Sequence, residues 1–281
     1  MAERAGRPRA GVRASLIAAA VLYVGALVLL PVGSLLRGAL GGGLGPVFEV
    51  LARPDVLSAL GMTARLTALA VVVNGALGTA LAFVLVRDRF VGKRVLSALV
   101  DVPFALSPVA VGVVLLALFG KGGLLRPIAD ALGVEVVFAW PAMAMATSFV
   151  TLPFVAREVG PVLEEMGTDQ ELAAYTLGAS PLTTFFRVTL PGIRWGLAYG
   201  ATLTMARAIG EFGAVLLVSG GVAGQTETAT VFVYRALEDR DERGAYVVAT
   251  VLALASIGLL LLLDVARRKR GSRVEVEGKG G

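Results

Sequence analysis

Long apolar runs constrain the fold of this chain more than any other feature of its sequence. An α-helix needs about 20 consecutive, mainly apolar residues to cross the hydrocarbon core of a bilayer. Six runs of about that length occur, at 15–36, 58–86, 95–119, 140–155, 195–219 and 245–265. They raise the hydrophobic content to 56%, above that of ordinary soluble domains. We therefore predict an all-α integral membrane protein with about six transmembrane helices, the first of them at 15–36.

Basic residues cluster at the ends of these runs and orient them. Residues 1–14 and 266–281 are rich in arginine and lysine, and the 87–94 segment between the second and third runs is also basic. Loops on the cytoplasmic side of a membrane carry an excess of Lys and Arg. The predicted topology is therefore multi-pass, with a basic cytoplasmic N-terminus (1–14) and a cytoplasmic tail (266–281). The net charge of +5 is a signal of topology, and no aromatic-interleaved basic stretch indicates a nucleic-acid partner.

The residue types that are missing exclude several classes of function. The sequence contains no cysteine and no histidine, so thiol catalysis, imidazole bases and metal sites built on either side chain are excluded. No GxxxxGK[ST] phosphate-binding motif occurs either. We predict that the chain is not an enzyme and binds no cofactor itself. If ATP drives its activity, another polypeptide must bind the nucleotide.

A short apolar stretch interrupts the polar segment between the fourth and fifth runs. Residues 171–191 read ELAAYTLGASPLTTFFRVTLP. Ala173, Ala174 and Leu177 give an apolar face to a predicted helix, and Gly178 supplies its C-terminal stop. By the charge pattern, this stretch lies on the cytoplasmic side.

A second short helix is predicted to begin at Ser180-Pro181, because serine is a favourable N-cap and proline fits the first helical position. Leu182, Phe185 and Phe186 then share one face, and Leu190-Pro191 ends the helix. An apolar face on such a loop is stabilised when something covers it. The groove of a partner protein is one cover, and the chain's own helices or lipid headgroups are another. The pattern leaves both open.

The fifth run carries a pair of opposite charges. Arg207 and Glu211 are four residues apart and so share a helix face. Each costs about 2.5–3.5 kcal/mol at the bilayer centre, so both must face the bundle or water. Two interpretations fit: a structural ion pair that locks helices together, or a cation lining the path of an anion and held in place by Glu211. The hydroxyl of Thr202 either contributes to that path or bonds its own backbone.

Two prolines interrupt the third run. Pro103 and Pro108, on either side of Ser107, each remove a backbone hydrogen-bond donor, so the helix is predicted to kink or break there. Irregular backbone at membrane depth is tolerated only against protein or a water-filled cavity. A gate on a transport path and a plain packing kink both satisfy that condition.

The 171–191 stretch resembles the cytoplasmic loop of type I ABC importer permeases. That loop has an acidic-Ala-Ala element, then a glycine, nine residues and Ile-x-Leu-Pro; Ala173-Ala174, Gly178 and Val188-Thr189-Leu190-Pro191 keep this spacing. One departure is that Glu171 stands one position before the family's glutamate, where this chain has Leu172. Three further stretches, DVPFALSPVAVG, ARAIGEFGAVLLVSG and TETATVFVYRALEDRDERGAY, resemble the permeases of sulfate and thiosulfate importers, in particular the second permease of the pair.

The resemblance implies half of an importer in a bacterial or archaeal cytoplasmic membrane. Its permease domain would span 57–265, and its coupling loop 157–194 would dock an ABC ATPase dimer through the 178–186 helix. The ATPase would bind ATP and Mg, a second permease would complete a heterodimer, and an extracytoplasmic sulfate-binding protein would deliver the anion. The implied docking residues are Glu171, Ala173, Ala174, Gly178, Leu182, Phe185, Phe186, Leu190 and Pro191.

Three alternatives remain at this point. The arginine-glycine-glutamate element also occurs in molybdate and tungstate permeases, so an importer of those anions is the nearest alternative. A membrane scaffold without transport and an ion-driven secondary anion transporter are the others. Broken helices and a charge pair within the membrane argue against the scaffold. Secondary transporters often contain inverted repeats and titratable carboxylates in the membrane, whereas no repeat is evident here and Glu211 is the only deep candidate.

Overall fold

The computed structural model describes residues 10–277, and the side chains of residues 14–265. The predicted basic N-terminus falls largely outside the described residues, as do residues 278–281 of the predicted tail. Every element described is helical, which confirms the all-α prediction. The elements, in chain order, are α1 (Ala10–Leu40), α2 (Leu44–Leu51), α3 (Pro54–Arg87), α4 (Lys93–Ala105), α5 (Pro108–Phe119), α6 (Arg126–Ala131), α7 (Trp140–Met166), α8 (Asp169–Thr176), α9 (Pro181–Thr184), a π-helical turn (Phe185–Thr189), α10 (Leu190–Ile209), α11 (Gly213–Ser219), α12 (Ala229–Glu238) and α13 (Glu242–Glu277).

Within the described residues, three helices are long and apolar enough to cross a membrane unbroken: α1, α3 and the 242–265 part of α13. Two further pairs qualify if each bent pair is one span, namely α4 with α5 and the 181–209 helix with α11. The structure thus accounts for up to five of the six predicted spans by length and composition.

The remaining predicted span, 140–155, lies within α7. This helix is not apolar enough to rank among those that could cross a membrane by length and composition. Thr147, Ser148 and Thr151 lower its hydropathy, and two prolines and Arg157 follow. The physical reason is the position of α7, which is buried along most of its length. A helix surrounded by other helices can carry polar side chains where a lipid-facing helix cannot.

The centre of the bundle is formed by α3, α7 and α10. Val155 on α7 is fully buried between two glycines of the neighbouring helices. A Cβ built on Gly78 of α3 would lie 2.7 Å from the Val155 Cβ, and one built on Gly200 of α10 would lie 2.7 Å from the Val155 Cα. Any larger side chain at either glycine would force the helices apart. Asn74 of α3 adds a polar tie, because its Nδ2 donates to the Thr151 hydroxyl of α7 at 2.7 Å.

The predicted break in the third run is present. The chain bends by 110° between α4 and α5, at the Leu106–Ser107 step that precedes Pro108. The fifth run is also broken, by 58° between α10 and α11, at Gly210–Phe212. That second break was not predicted, because no proline marks it.

Candidate functional site

The 169–189 segment has the helix–glycine–helix form predicted from its sequence. After α8, Gly178 adopts φ +86°, the left-handed conformation that glycine reaches without steric cost. The Ser180 hydroxyl then accepts a hydrogen bond from the Thr183 backbone N–H at 3.2 Å, and Pro181 begins α9. A prediction made from three residues, Gly178, Ser180 and Pro181, is confirmed in its geometry.

The predicted end of the second helix at Leu190-Pro191 is wrong. The chain remains helical from Pro181 to Ile209, through a π-helical turn in which the Leu190 N–H donates to the Phe185 carbonyl. Pro191 lies directly after this turn, in the first turn of α10, and its missing N–H interrupts the hydrogen-bond ladder without ending the helix. The segment is therefore joined rigidly to a membrane helix.

The surface of the segment carries several exposed apolar side chains, which we call the apolar patch. Its members are strongly exposed: Leu172 (55%), Leu177 (89%), Leu182 (71%) and Phe186 (60%). Ala173 is also exposed and Ala174 is half-buried. Exposed leucines and aromatics grouped on a short loop are unusual on a protein surface and mark interaction sites.

Phe185 departs from the predicted face. Its ring meets Phe83 of α3 edge-on, with centroids 6.5 Å apart, and it lines an apolar groove that also contains Leu190 and Leu197. The physical reason is tertiary packing, because Phe83 of α3 lies against this side of the segment and covers the Phe185 ring. Phe185 therefore fixes the segment to the bundle, whereas Phe186 stays exposed and contacts only the edge of the Phe185 ring among the aromatic side chains described, with centroids 5.2 Å apart.

Glu171 is also turned inward and forms what we call the clasp, with Arg87 and Thr189. Its carboxylate lies 3.2 Å from the Arg87 Nε and accepts a hydrogen bond from the Thr189 hydroxyl at 2.8 Å. Arg87 also donates to the Gly167 carbonyl at 2.5 Å. The Glu171 and Arg87 side chains are only 8% and 12% exposed. Sequence reasoning missed the roles of Arg87 and Thr189, because their partner is distant along the chain.

The two broken spans meet at their breaks. A Cβ built on Gly213, at the start of α11, would lie 3.4 Å from the Pro108 Cβ and 3.3 Å from the Val109 backbone nitrogen, at the start of α5. Further along, a Cβ on Gly112 of α5 would lie 3.0 Å from the Ala214 carbonyl oxygen. The short helices α5 and α11 thus begin side by side and pack closely.

The charge pair lies at this junction. The Arg207 Nη1 is 2.7 Å from the Glu211 Oε2, and their side chains are 33% and 2% exposed. The Glu211 carboxylate also accepts a hydrogen bond from the Ala214 N–H of α11 at 3.0 Å, and the Glu211 backbone carbonyl accepts one from the Thr230 hydroxyl at 2.6 Å. A carboxylate anchored on both sides of the break holds a guanidinium whose remaining surface is accessible.

The other predicted path residues fall into two groups. Ser107 is exposed at the break, Pro108 begins α5, and Pro103 is buried within α4. Thr202 is elsewhere: its hydroxyl bonds the Ala198 carbonyl of its own helix at 2.8 Å. It lines a groove between α10 and α13. The structure brings Ser107, Pro108, Arg207 and Glu211 to one junction and leaves Thr202 apart from it.

The end of α3 opposite the clasp carries a network of ion pairs. Arg53 donates to Asp241 at 2.6 Å and to Asp55 at 2.8 Å, and these hydrogen bonds raise the pKa of Arg53. Arg235 donates two hydrogen bonds, at 2.6 and 3.0 Å, to the fully buried Glu227, which raises the pKa of Arg235. The network joins the start of α3 to α12 and α13.

Within the described residues, no group of three or more His, Cys, Asp or Glu side chains is placed to hold a metal ion. The features described above that bear on function are the apolar patch, the clasp and the Arg207 guanidinium at the helix junction.

Comparison with known proteins identifies relatives along nearly the whole chain. Residues 74–275 match the family described as binding-protein-dependent transport system inner membrane component. The sulfate transport system permease protein CysW of Synechococcus elongatus is 41% identical over 96% of this chain and 98% of that protein. CysW of Escherichia coli strain K12 is 41% identical over 88% and 85%.

Solved structures share the fold. A bacterial ABC transporter involved in the import of the acidic polysaccharide alginate superposes with a TM-score of 0.76 at 14% identity, over 93% of this chain and 96% of that chain. The same type of transporter, solved in complex with an alginate pentasaccharide-bound periplasmic protein, gives 0.71 at 15% identity, over 92% and 95%. The chain belongs to the family of binding-protein-dependent transport system inner membrane components.

Proposed function

We propose that this chain is the permease subunit of an ATP-driven importer of sulfate or thiosulfate. The observation that carries the proposal is the 41% identity to a sulfate permease over 96% of the chain. Identity at that level, over nearly the whole length of both chains, indicates that the helix framework is shared. In this role the chain is a transport subunit and performs no catalysis itself.

The partners follow from the surfaces of the chain. An ATPase dimer, which binds ATP and Mg, docks on the apolar patch in the helix-in-groove mode. A second permease, related to this one, completes the path as a heterodimer. A sulfate-binding protein delivers the anion from outside, as the family's dependence on binding proteins implies. Glu171 and Phe185 serve this coupling from the inner side of the segment, and Leu172, Leu177, Leu182 and Phe186 from its surface.

The charge distribution supports a location in a cytoplasmic membrane with both termini inside. The clasp lies at the end of α3 that continues into the basic 87–94 segment. At the opposite end, four carboxylates pair with two arginines: Asp55, Glu227, Asp239 and Asp241 with Arg53 and Arg235. Because positive charge marks the cytoplasmic side, the 169–189 segment faces the cytoplasm, where the ATPase is.

The path for the anion is proposed at the junction of the broken spans. Arg207 supplies the positive charge, Glu211 fixes its position, and Ser107 offers an exposed hydroxyl at the neighbouring break. Pro103 and Pro108 produce the irregular backbone that a pathway requires. A hydrogen bond to a charged group contributes about 1.5–3 kcal/mol, enough for one guanidinium to affect transport strongly.

The decisive experiment is ATP-dependent uptake of labelled sulfate by vesicles that contain this chain, the second permease, the ATPase and the binding protein. We expect uptake that excess thiosulfate blocks and molybdate hardly affects. Suppression by low molybdate would assign the chain to the molybdate and tungstate importers. Absence of ATP-dependent uptake of any oxyanion would contradict the proposed function.

A further inference from the structure

We propose that Arg87 and Glu171 are positioning residues that transmit movement of the 169–189 segment to the packed helices α3 and α7. This inference rests on the proposed function, because the ATPase must dock on the apolar patch to move the segment. Two adjacent residues of α8 connect the docking surface to the clasp: Leu172 is exposed on the patch, and Glu171 is buried in the clasp. A force applied to the patch is therefore applied to the clasp as well.

The clasp joins three elements at one guanidinium. Arg87 is the last residue of α3, Gly167 directly follows α7, and Glu171 belongs to α8. Arg87 contacts the Gly167 carbonyl and the Glu171 carboxylate, and Thr189 of the π-helical turn bonds the same carboxylate. The Phe83–Phe185 contact, one helical turn earlier in α3, adds an apolar tie in the same direction. The segment is thus fixed to α3 from both of its helical parts.

The α3 helix extends this connection across the whole bundle. It contains 34 residues, about 50 Å at a rise of ~1.5 Å per residue. It is locked to α7 through the Gly78–Val155 approach and the Asn74–Thr151 hydrogen bond. Its first turn carries Asp55, which pairs with Arg53 in the network at the opposite end. Displacement of the clasp therefore reaches the opposite end of the molecule through one continuous helix.

The competing explanation is that the buried ion pair only stabilises the fold. The two roles separate when both charges are removed together, because an isolated buried charge destabilises a protein whereas replacement of a whole buried pair by apolar groups is often tolerated. The main variant is accordingly the double substitution Arg87→Met with Glu171→Met. The matched control is Arg89→Met with Asp169→Asn, which alters exposed residues of the same charges two positions from each member of the clasp.

The experiment uses the complete importer reconstituted in vesicles and measures three quantities: retention of the ATPase on the purified membrane complex, ATP hydrolysis, and sulfate imported per ATP hydrolysed. We expect the double variant to retain the ATPase and to hydrolyse ATP, but to import about tenfold less sulfate per ATP, a factor typical of lost coupling between sites. The control should match the unmodified importer. A double variant with normal import per ATP would overturn the inference.

Two further variants make the result decisive. If the double variant does not assemble, Arg87→Lys decides, because lysine keeps the charge but lacks the planar fork that bridges Gly167 and Glu171. Reduced import per ATP in that assembled variant supports the clasp, and unchanged import per ATP overturns it. Leu182→Asp tests the proposed docking separately. If the ATPase remains bound to that variant and transport is normal, the docking assignment fails, whatever the clasp variants show.

Discussion

At the scale of single residues, Arg207 is the side chain on which the proposed anion path depends most. Its guanidinium is fixed by Glu211 at the point where two broken helices begin, and a third of the side chain remains accessible. The carboxylate is anchored to α11 as well as to Arg207, an arrangement that agrees both with an ion pair that locks the two helices and with a cation held on a path. The two interpretations drawn from the sequence predict different behaviour when the charges are removed.

We predict that Arg207→Ala lowers sulfate uptake by about 10- to 100-fold, the loss of one charge-assisted hydrogen bond to the anion. The measurement is initial uptake per inserted importer. Arg126→Ala is the matched control, because Arg126 forms an i,i+4 pair with Asp130 on an exposed helix and should leave uptake unchanged.

The double variant Arg207→Met with Glu211→Gln distinguishes the two interpretations of this pair. It removes the arginine without leaving a buried carboxylate unpaired, and glutamine can still accept the Ala214 hydrogen bond. If Arg207 lies on the path, uptake stays low in the double variant. Recovery of uptake would show that the pair is structural.

Gly178 gives a second prediction at this scale. A Cβ at this position would meet no atom within 4 Å, so a larger side chain causes no clash. The effect of a substitution therefore depends on how well the new residue tolerates φ +86° and on the charge that it introduces. Asparagine and aspartate both tolerate the left-handed region, which makes them a matched pair. We predict that Gly178→Asp abolishes uptake by placing a charge beside the apolar patch, while insertion is normal. Gly178→Asn should retain most activity, and equal activity in both variants would contradict docking at the patch.

At the scale of elements, the 169–189 segment has two faces with different tasks. The apolar patch is open to a partner, and the opposite side is attached to α3 through the clasp and through the Phe83–Phe185 contact. Phe185 and Phe186 are adjacent in sequence but have contrasting surroundings. Substitutions at the two positions therefore distinguish attachment of the segment to α3 from docking of a partner.

We predict that Phe185→Asp and Phe186→Asp both abolish uptake, for different reasons. The Phe185→Asp variant would place a carboxylate in an apolar groove at a cost of several kcal/mol, so the thermal stability of the purified complex should fall. The Phe186→Asp variant should keep its stability and lose the ATPase during purification. Equal stability of both variants would show that Phe185 does not anchor the segment.

Much of this architecture could be predicted from local sequence. Gly178 and Ser180-Pro181 marked the helix boundaries of the segment, and Pro108 marked the break between α4 and α5, because each residue acts on its own backbone. The π-helical turn and the second break lack such a local marker. The clasp could not be predicted either, because Arg87 and Glu171 are 84 positions apart and are brought together only by the packing of α3 against α7, the helix that α8 follows. Thr202 bonds its own backbone, the second of the two roles open to it, and it lies apart from Arg207 because residues five apart on a helix point in different directions.

At the scale of the whole molecule, the two ends of the bundle differ in charge. The basic 87–94 segment, the clasp and the apolar patch lie at one end of α3. The carboxylate-rich network around Arg53 and Arg235 lies at the other. The proposed transport direction requires that the first end face the ATPase in the cytoplasm and the second face the binding protein outside.

The chain offers a direct test of this orientation, because it contains no cysteine and single cysteines can be introduced without removing others. Val91, in the basic turn after α3, is fully exposed, and Leu124, between α5 and α6, is 80% exposed. We predict that a membrane-impermeant maleimide labels Leu124→Cys in intact spheroplasts and labels Val91→Cys only after lysis. The unmodified chain controls for background. The reverse pattern would place the 169–189 segment outside the cell, where no ATPase could dock on it, and would overturn the topology and the coupling proposal together.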